Sequence, residues 1–526
     1  MKFFNTAGPV NQAEHYKIDP LKRWDTDEFI HLIGQKKYFI LHAPRQTGKT
    51  SCLLALRDYL NKEGKYHCVY ANFEVGQAAR DNVGSGNSAV TYELHQEFQL
   101  LMGDIVTFTF REFIDQIDVL NAVGAYLSKV ARLSDKPIVL LIDEIDSLVG
   151  DVLISVLRQL RTGYAKRPQN FPQSVILCGV RDVKDYRIQT SGKDVITGGS
   201  CFNIKSESLT LGNLSDREVR ELYLQHTKET GQRFEEECFP LIMRYTNGQP
   251  WLVNALAYEV TYKMKPNRDP SVVITAAMIS EAKERLILSR ATHLDQLADK
   301  LSEDRVRRVI EPMIVGEMLN VLADDVEYCV DLGLVTKGPN GYQIMNQIYR
   351  EVIPRELSKL PQRNFCAMFE PEWVKPDGSI DVDRFMQLFQ HFWRVNSEIW
   401  AEDIAGYREA APHLTFHAFL QRVSNGQGVI DREYGLGRKR ADLVLFWKHP
   451  GGEQRVVIEL KVFSERDSYE QLKEAALRQT AEYADKCDAT DSNVVIFDRC
   501  NKTDWGEKVF TEVCEYNGRR IKIWGM

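Results

Sequence analysis

The chain has no C-x-x-C pair, no long apolar run and no large excess of charge of either sign. Its ten cysteines are scattered, several of them inside apolar runs where a thiol acts as a small hydrophobe, so the protein reads as reduced and cytoplasmic. No apolar stretch approaches the roughly 18 residues that a membrane span needs. Lys2 is followed by Phe3-Phe4-Asn5-Thr6 rather than by an apolar stretch of about 7–15 residues, so neither a signal peptide nor a membrane partner is expected. The balance of 67 Lys+Arg against 74 Asp+Glu, a net of −7, excludes a polycation that coats nucleic acid by bulk charge. Any DNA contact must come from a local patch.

What is present is ordinary globular material: 526 residues, 44% hydrophobic and 27% charged. At roughly 100–200 residues per domain this predicts three or four folded units.

The β-rich run Tyr38-Phe39-Ile40-Leu41-His42 leads into Ala43-Pro44-Arg45-Gln46-Thr47-Gly48-Lys49-Thr50-Ser51 and then into the helical pattern of residues 52–60. Strand, loop and helix stand in the order of a phosphate loop. Its backbone N–H groups and the helix N-terminus surround phosphates, Lys49 reaches the β/γ oxygens, and Thr50 offers a hydroxyl to Mg²⁺. Ala43 replaces the usual first glycine, which is tolerated if its φ stays negative. Pro137 to Ile142 is a continuous apolar run suited to a buried parallel strand, and it ends in Asp143-Glu144. Asp143 is the metal-side carboxylate and Glu144 the candidate base for water, which points to ATP or GTP with Mg²⁺. A third buried strand, 174–180, ends at Arg181, a candidate sensor of the γ-phosphate. Arg158 and Arg161 can reach a neighbouring copy's nucleotide in a homo-oligomer, or simply solvate a helix face.

Beyond residue 205 the pattern turns helical, with Ser215 capping one helix and Thr246-Asn247-Gly248-Gln249-Pro250 opening another from Trp251 to Tyr262. Residues 301–355 read as helix, glycine, strand, Asn-Gly turn and strand, the grammar of a winged helix. The helix at 324–332 is acidic, which argues against reading a DNA groove. In the last part, 440–447 and 455–462 read as two strands joined by Pro450-Gly451-Gly452. Glu459 and Lys461, two apart, share a face of an otherwise apolar strand. Burying them is costly unless they pair or bind something. Asp442 enters the neighbouring strand. Two carboxylates and the Leu460 carbonyl make hard oxygen ligands for Mg²⁺ or Mn²⁺, and Lys461 can position water. Arg438-Lys439-Arg440 suits backbone phosphates.

Two resemblances follow. The phosphate loop, Asp143-Glu144, Arg181 and the helical region with Gly248-Gln249-Pro250-Trp251 resemble the AAA-like and STAND-type ATPases, which implies that Pro250 contacts the adenine. Asp442, Glu459 and Lys461 resemble the PD-(D/E)XK nuclease superfamily, and Gln479-Thr480-Ala481-Glu482-Tyr483 resembles the Q-x-x-x-Y signature of its RecB-like branch. That likeness adds Gln479 and Tyr483 to the site, and Glu409 as a further acid among competitors Glu402, Asp403, Asp431 and Glu433. The whole chain resembles bacterial proteins that fuse the two. The expected fold is α/β: a P-loop parallel sheet (1–205), a helical lid (206–290), a winged helix (291–360), a linker or helical segment (361–400) and a restriction-endonuclease-like domain (401–526). The resemblance implies an ATP-controlled, metal-dependent DNA endonuclease with weak sequence preference, in defence against foreign DNA. A STAND-type switch whose nuclease fold only binds nucleic acid or a partner, and an ATP-driven DNA remodeller, are the alternatives.

Overall fold

The apolar runs at 38–42, 138–142 and 174–178 become the middle of a parallel sheet. The computed structural model describes residues 2–182, 187–189, 195–289, 292–315, 321–338, 341–357, 373–402, 411–423, 428–431, 443–464, 468–500 and 504–526. It divides into two units, Met1–Leu286 with Asp331–Gly333, and Ile287–Val330 with Leu334–Met526.

In the first unit, β1 (Tyr38–His42), β2 (His67–Asn72), β3 (Ile138–Asp143), β4 (Ser174–Gly179) and β5 (Lys205–Thr210) form one sheet in the order β2-β3-β4-β1-β5. All four pairings are parallel. Parallel sheets are covered on both faces, and the side chains alternate accordingly. Phe39, Leu41, Val139 and Leu141 pack toward α1 (Lys49–Glu63). Tyr38, Ile40, Leu140 and Ile142 pack toward α2 (Val83–Met102), α3 (Ala122–Leu133) and α4 (Gly150–Gly163). Because β4 lies between β1 and β3, its end falls between the phosphate loop and Asp143-Glu144, the crevice where such sheets bind ligands.

The helical region holds α5 (Asp216–Thr230), α6 (Cys238–Thr246), α7 (Pro250–Tyr258) and α8 (Ala276–Leu288). Ser215 and Glu218 close a capping box at the start of α5. The helix expected from Trp251 to Tyr262 is instead α7 followed by a π-helical turn, Glu259–Lys263. There the buried Glu259 carboxylate pairs with Arg285 at 2.8 Å.

The second unit begins with α9 (Thr292–Leu301), α10 (Asp304–Val315) and α11 (Ala323–Asp331). The antiparallel pair β6 (Val335–Gly338) and β7 (Gly341–Ile344) and helix α12 (Gln347–Leu357) follow. The α10 arginines are engaged locally: Arg305 and Arg308 each meet Asp325 at 2.7 Å, and Arg307 meets Asp304 at 2.9 Å. After α13 (Val382–Glu402) and α14 (Ala411–Val423) comes a mixed sheet. It comprises β8 (Gly428–Asp431), β9 (Leu443–His449), β10 (Gly452–Phe463), β11 (Asp491–Asp498), β12 (Thr511–Tyr516) and β13 (Arg519–Gly525), in the order β8-β9-β10-β11-β13-β12. Helix α15 (Tyr469–Lys486) is the crossover between the parallel strands β10 and β11. One face of the sheet packs on α13 and α14 through Ile458, Leu460, Phe389 and Phe416. The other packs on α15 through Val494, Ile496, Ala476 and Ala481.

Candidate functional site

The phosphate loop is shaped by two left-handed residues, Gln46 (φ 58°) and Gly48 (φ 94°). A Cβ on Gly48 would lie 2.8 Å from Arg23 Nη1, the movable end of a long side chain, so it is the φ of 94° that requires glycine there. Arg23 donates to the Thr47 carbonyl and, at 2.6 Å, to that of Gly212, bracing the loop from outside. Ala43 has no positive φ, and its N–H continues the strand ladder to Gly179 O at 3.2 Å. Thr47 Oγ1 donates to Pro44 O at 2.8 Å, and Ser51 Oγ accepts from Val10 N at 3.0 Å. Lys49 is buried, its Nζ donating to Ala43 O at 2.9 Å and Pro44 O at 3.1 Å. The loop's own carbonyls thus hold the ammonium inside the loop.

Asp143 is fully buried at the end of β3. Its Oδ2 accepts from Thr50 Oγ1 at 2.7 Å and from Tyr70 OH at 3.0 Å, and its Oδ1 from Glu144 N at 3.0 Å. Hydroxyl and carboxylate oxygens facing each other across the loop fit a hard, octahedral cation such as Mg²⁺. Glu144 has φ 52°, left-handed without being glycine, a strain that concentrates at functional positions. Burial, and then the neighbouring Asp146 carboxylate, push the Glu144 pKa up, while Lys49 opposes the rise. A raised carboxylate suits a base that must take a proton from water.

Arg181, at the end of β4, pairs with Asp331 at the end of α11 through Nε at 2.9 Å, both side chains largely buried. Beside that pair, Gly333 (φ 74°) lies so close to the phosphate loop that a Cβ would sit 2.8 Å from Pro44 Cβ. Pro250 is buried at the first position of α7. The preceding Gln249 accepts from Leu252 N at 2.6 Å and donates to Gln46 O at 3.5 Å, joining the helical region to the loop. Arg158 and Arg161 are exposed on α4.

In the second unit Glu459 is 1% exposed, and Lys461 Nζ meets its Oε1 at 2.8 Å. Both share a face with Val457, the face toward α15. Tyr483 packs on the cluster of Val444, Val457 and Ala484 on that face. Gln479 Oε1, one turn earlier, is buried with no hydrogen-bond partner among the described residues. The Leu460 side chain turns the other way, into the core against α13 and α14. Asp442, Glu409 and the Arg438–Arg440 cluster lie outside the described residues. Among the described residues no group of three or more His, Cys, Asp or Glu side chains is poised for a metal.

Tyr70, Asp331, Gln249 and Arg23 escape a reading of the sequence. Only Tyr70 carries a local signal, an aromatic hydroxyl on a short strand otherwise led by apolar residues. The other three act through distant neighbours.

No family model and no curated protein matches the chain. Among solved structures, a Walker-type ATPase of Pyrococcus abyssi is similar at 12% identity and TM-score 0.44, over 66% of this chain and 99% of that one. Cdc6p from Pyrobaculum aerophilum is similar at 16% identity and TM-score 0.37, over 65% and 96%. The RuvB Holliday junction branch migration motor of Thermotoga maritima is similar at 13% identity and TM-score 0.34, over 66% and 97%. The functional reading rests on the chain's own geometry.

Proposed function

We propose that the first unit binds and hydrolyses ATP, and that this controls a metal-dependent DNA endonuclease centre in the second. The observation that carries the reading is the Thr50–Asp143 contact at 2.7 Å under a phosphate loop with Lys49 held inside it. Loop N–H groups and the α1 N-terminus bind the phosphates. Lys49 exchanges its carbonyl partners for β/γ oxygens, and Thr50 and Asp143 hold Mg²⁺, which when bound offsets phosphate charge. Glu144 takes the proton of the attacking water as the β–γ bridge breaks, giving ADP and phosphate. Arg181, the residue that would reach the γ-phosphate, is held through Nε by Asp331, so ATP and the turn Asp331–Gly333 draw on one guanidinium. Pro250 borders the adenine.

At the nuclease centre, Asp442, Glu459 and the Leu460 carbonyl hold Mg²⁺ or Mn²⁺, Lys461 positions the hydrolytic water, and Gln479, Tyr483 and Glu409 orient the site. Asp442 directly precedes Leu443, whose partner across the hairpin is Ile458, the residue before Glu459. We take the protein to be cytoplasmic, to act on DNA with weak sequence preference in defence against foreign DNA, and to assemble through its ATPase. A second reading, a signalling ATPase whose nuclease-like sheet only binds nucleic acid or a partner, is favoured by the Glu459–Lys461 pair, in which the two opposite charges already meet at 2.8 Å.

The test is cleavage of plasmid, linear duplex and single-stranded DNA with and without ATP, in Mg²⁺ or Mn²⁺. Lys49→Ala and Glu144→Gln should each slow ATP hydrolysis by about 10²-fold or more. Asp442→Ala should abolish cleavage with hydrolysis intact, and Asp331→Asn should tighten ATP binding by releasing Arg181. Intact DNA throughout, with normal hydrolysis, would leave the second reading.

A further inference from the structure

Between α3 and α4 lies an open cleft of about 480 Å³, within the range of small-molecule sites. It stands apart from the nucleotide crevice. Arg132 closely precedes β3, and Lys166 and Phe171 precede β4, so they mark the edge where strands start, whereas the phosphate loop follows the end of β1. Its floor is aromatic. Phe113 and Phe171 are buried there, and the Phe171 ring fits only because residue 163 is glycine, since a Cβ would lie 2.2 Å from its Cζ.

Among the described residues its walls carry three cations, Lys129, Arg132 and Lys166, and no carboxylate, imidazole or thiol. Lys129 is placed by stacking, its Nζ 3.9 Å from the Phe108 centroid. The nearby acid Glu112 is committed to capping its own helix through Thr109. Arg132 and Lys166 are exposed and have no carboxylate partner among the described residues. Gln116, Asn121 and Ser128 add polar groups along the same wall.

We propose that this cleft is a second ligand site, taking a small phosphate-bearing molecule of nucleotide size, its phosphates on Arg132, Lys166 and Lys129 and its remainder along Gln116, Asn121 and Ser128. Charge-assisted contacts from a guanidinium and ammonium groups match phosphate oxygens, and side-chain amides and a hydroxyl match the polar edge of a base.

The experiment uses the full chain with Lys49→Ala, which weakens the phosphate-loop site, titrated with a fluorescent mononucleotide and competed with inorganic pyrophosphate. Saturable binding that pyrophosphate displaces is expected. Adding Arg132→Ala and Lys166→Ala should weaken it at least about tenfold. The same two substitutions in a chain that keeps Lys49 should leave ATP hydrolysis and thermal unfolding unchanged, which separates this site from the ATPase reading. Mononucleotide binding that ignores the two substitutions would overturn the proposal. So would dependence on them seen only with a long single-stranded oligonucleotide, which would make the cations a nucleic-acid track.

Discussion

Asp146 follows the candidate base by two residues, and its carboxylate, after burial, pushes the base's pKa up. Its Oδ2 accepts from Val180 N at 3.2 Å, tying the end of β3 to the end of β4, while its Oδ1 is buried without a hydrogen-bond partner among the described residues. After burial, this carboxylate is the largest influence raising the Glu144 pKa. A base works only when deprotonated, so a raised pKa moves the acidic limb of the kcat profile to higher pH. Asp146→Asn keeps an oxygen for the Val180 N–H and removes the like charge. The acidic limb should therefore move to lower pH, read from ATPase rates across pH 4–8. A limb that stays in place would mean that Glu144 is not the titrating group. Tyr70 complements this arrangement from the other side, since its hydroxyl and that of Thr50 orient one oxygen of Asp143.

At the scale of elements, the turn between α6 and α7 is the most constrained. Gly248 has φ 68°, its carbonyl accepts from Leu214 N at 2.8 Å, and a Cβ there would lie 1.9 Å from Leu214 O. A backbone atom cannot swing aside as a side chain can. Gly248→Ala should cost roughly 2–4 kcal/mol and raise the KM for ATP, because Gln249, which reaches Gln46, would move with it. Thermal unfolding and ATPase kinetics of the variant check both. The sequence shows this turn, as it shows β1, β3 and β4, because unbroken apolar runs bounded by Gly, Asp and Pro are strong local signals. It does not show β5, whose Lys-Ser-Glu-Ser-Leu-Thr pattern is that of an edge strand with partly exposed side chains. The loop, Asp143, Glu144, Glu459 and Lys461 are legible for the same reason as the strands that carry them. Asp331 is not, because an acid on an acidic helix looks like a solvated face until its partner, Arg181, comes from a strand end 150 residues earlier.

On the scale of the whole molecule, the two units can be followed separately because of where their tryptophans and histidines lie. Of the eight tryptophans, Trp24 and Trp251 belong to the first unit and the other six to the second, so tryptophan fluorescence chiefly reports the second. In that unit His293 on α9 is buried against Tyr349 of α12, and burial pulls its pKa from 6.5 down to about 4. Below pH 6.5 the unfolded chain takes up a proton that the folded chain refuses. The unfolded state therefore binds more protons, and stability falls as pH falls. The contribution is fully present above pH 6.5 and is lost progressively down to about pH 4, a loss of roughly 3 kcal/mol from this one group. His293→Phe removes the titration and keeps a ring of similar shape. Its denaturation midpoint by tryptophan fluorescence should change less between pH 7 and 4 than that of wild type, although the lost bond to Tyr349 lowers its stability at pH 7. Parallel pH curves for the two proteins would show that the acid sensitivity of the second unit lies elsewhere.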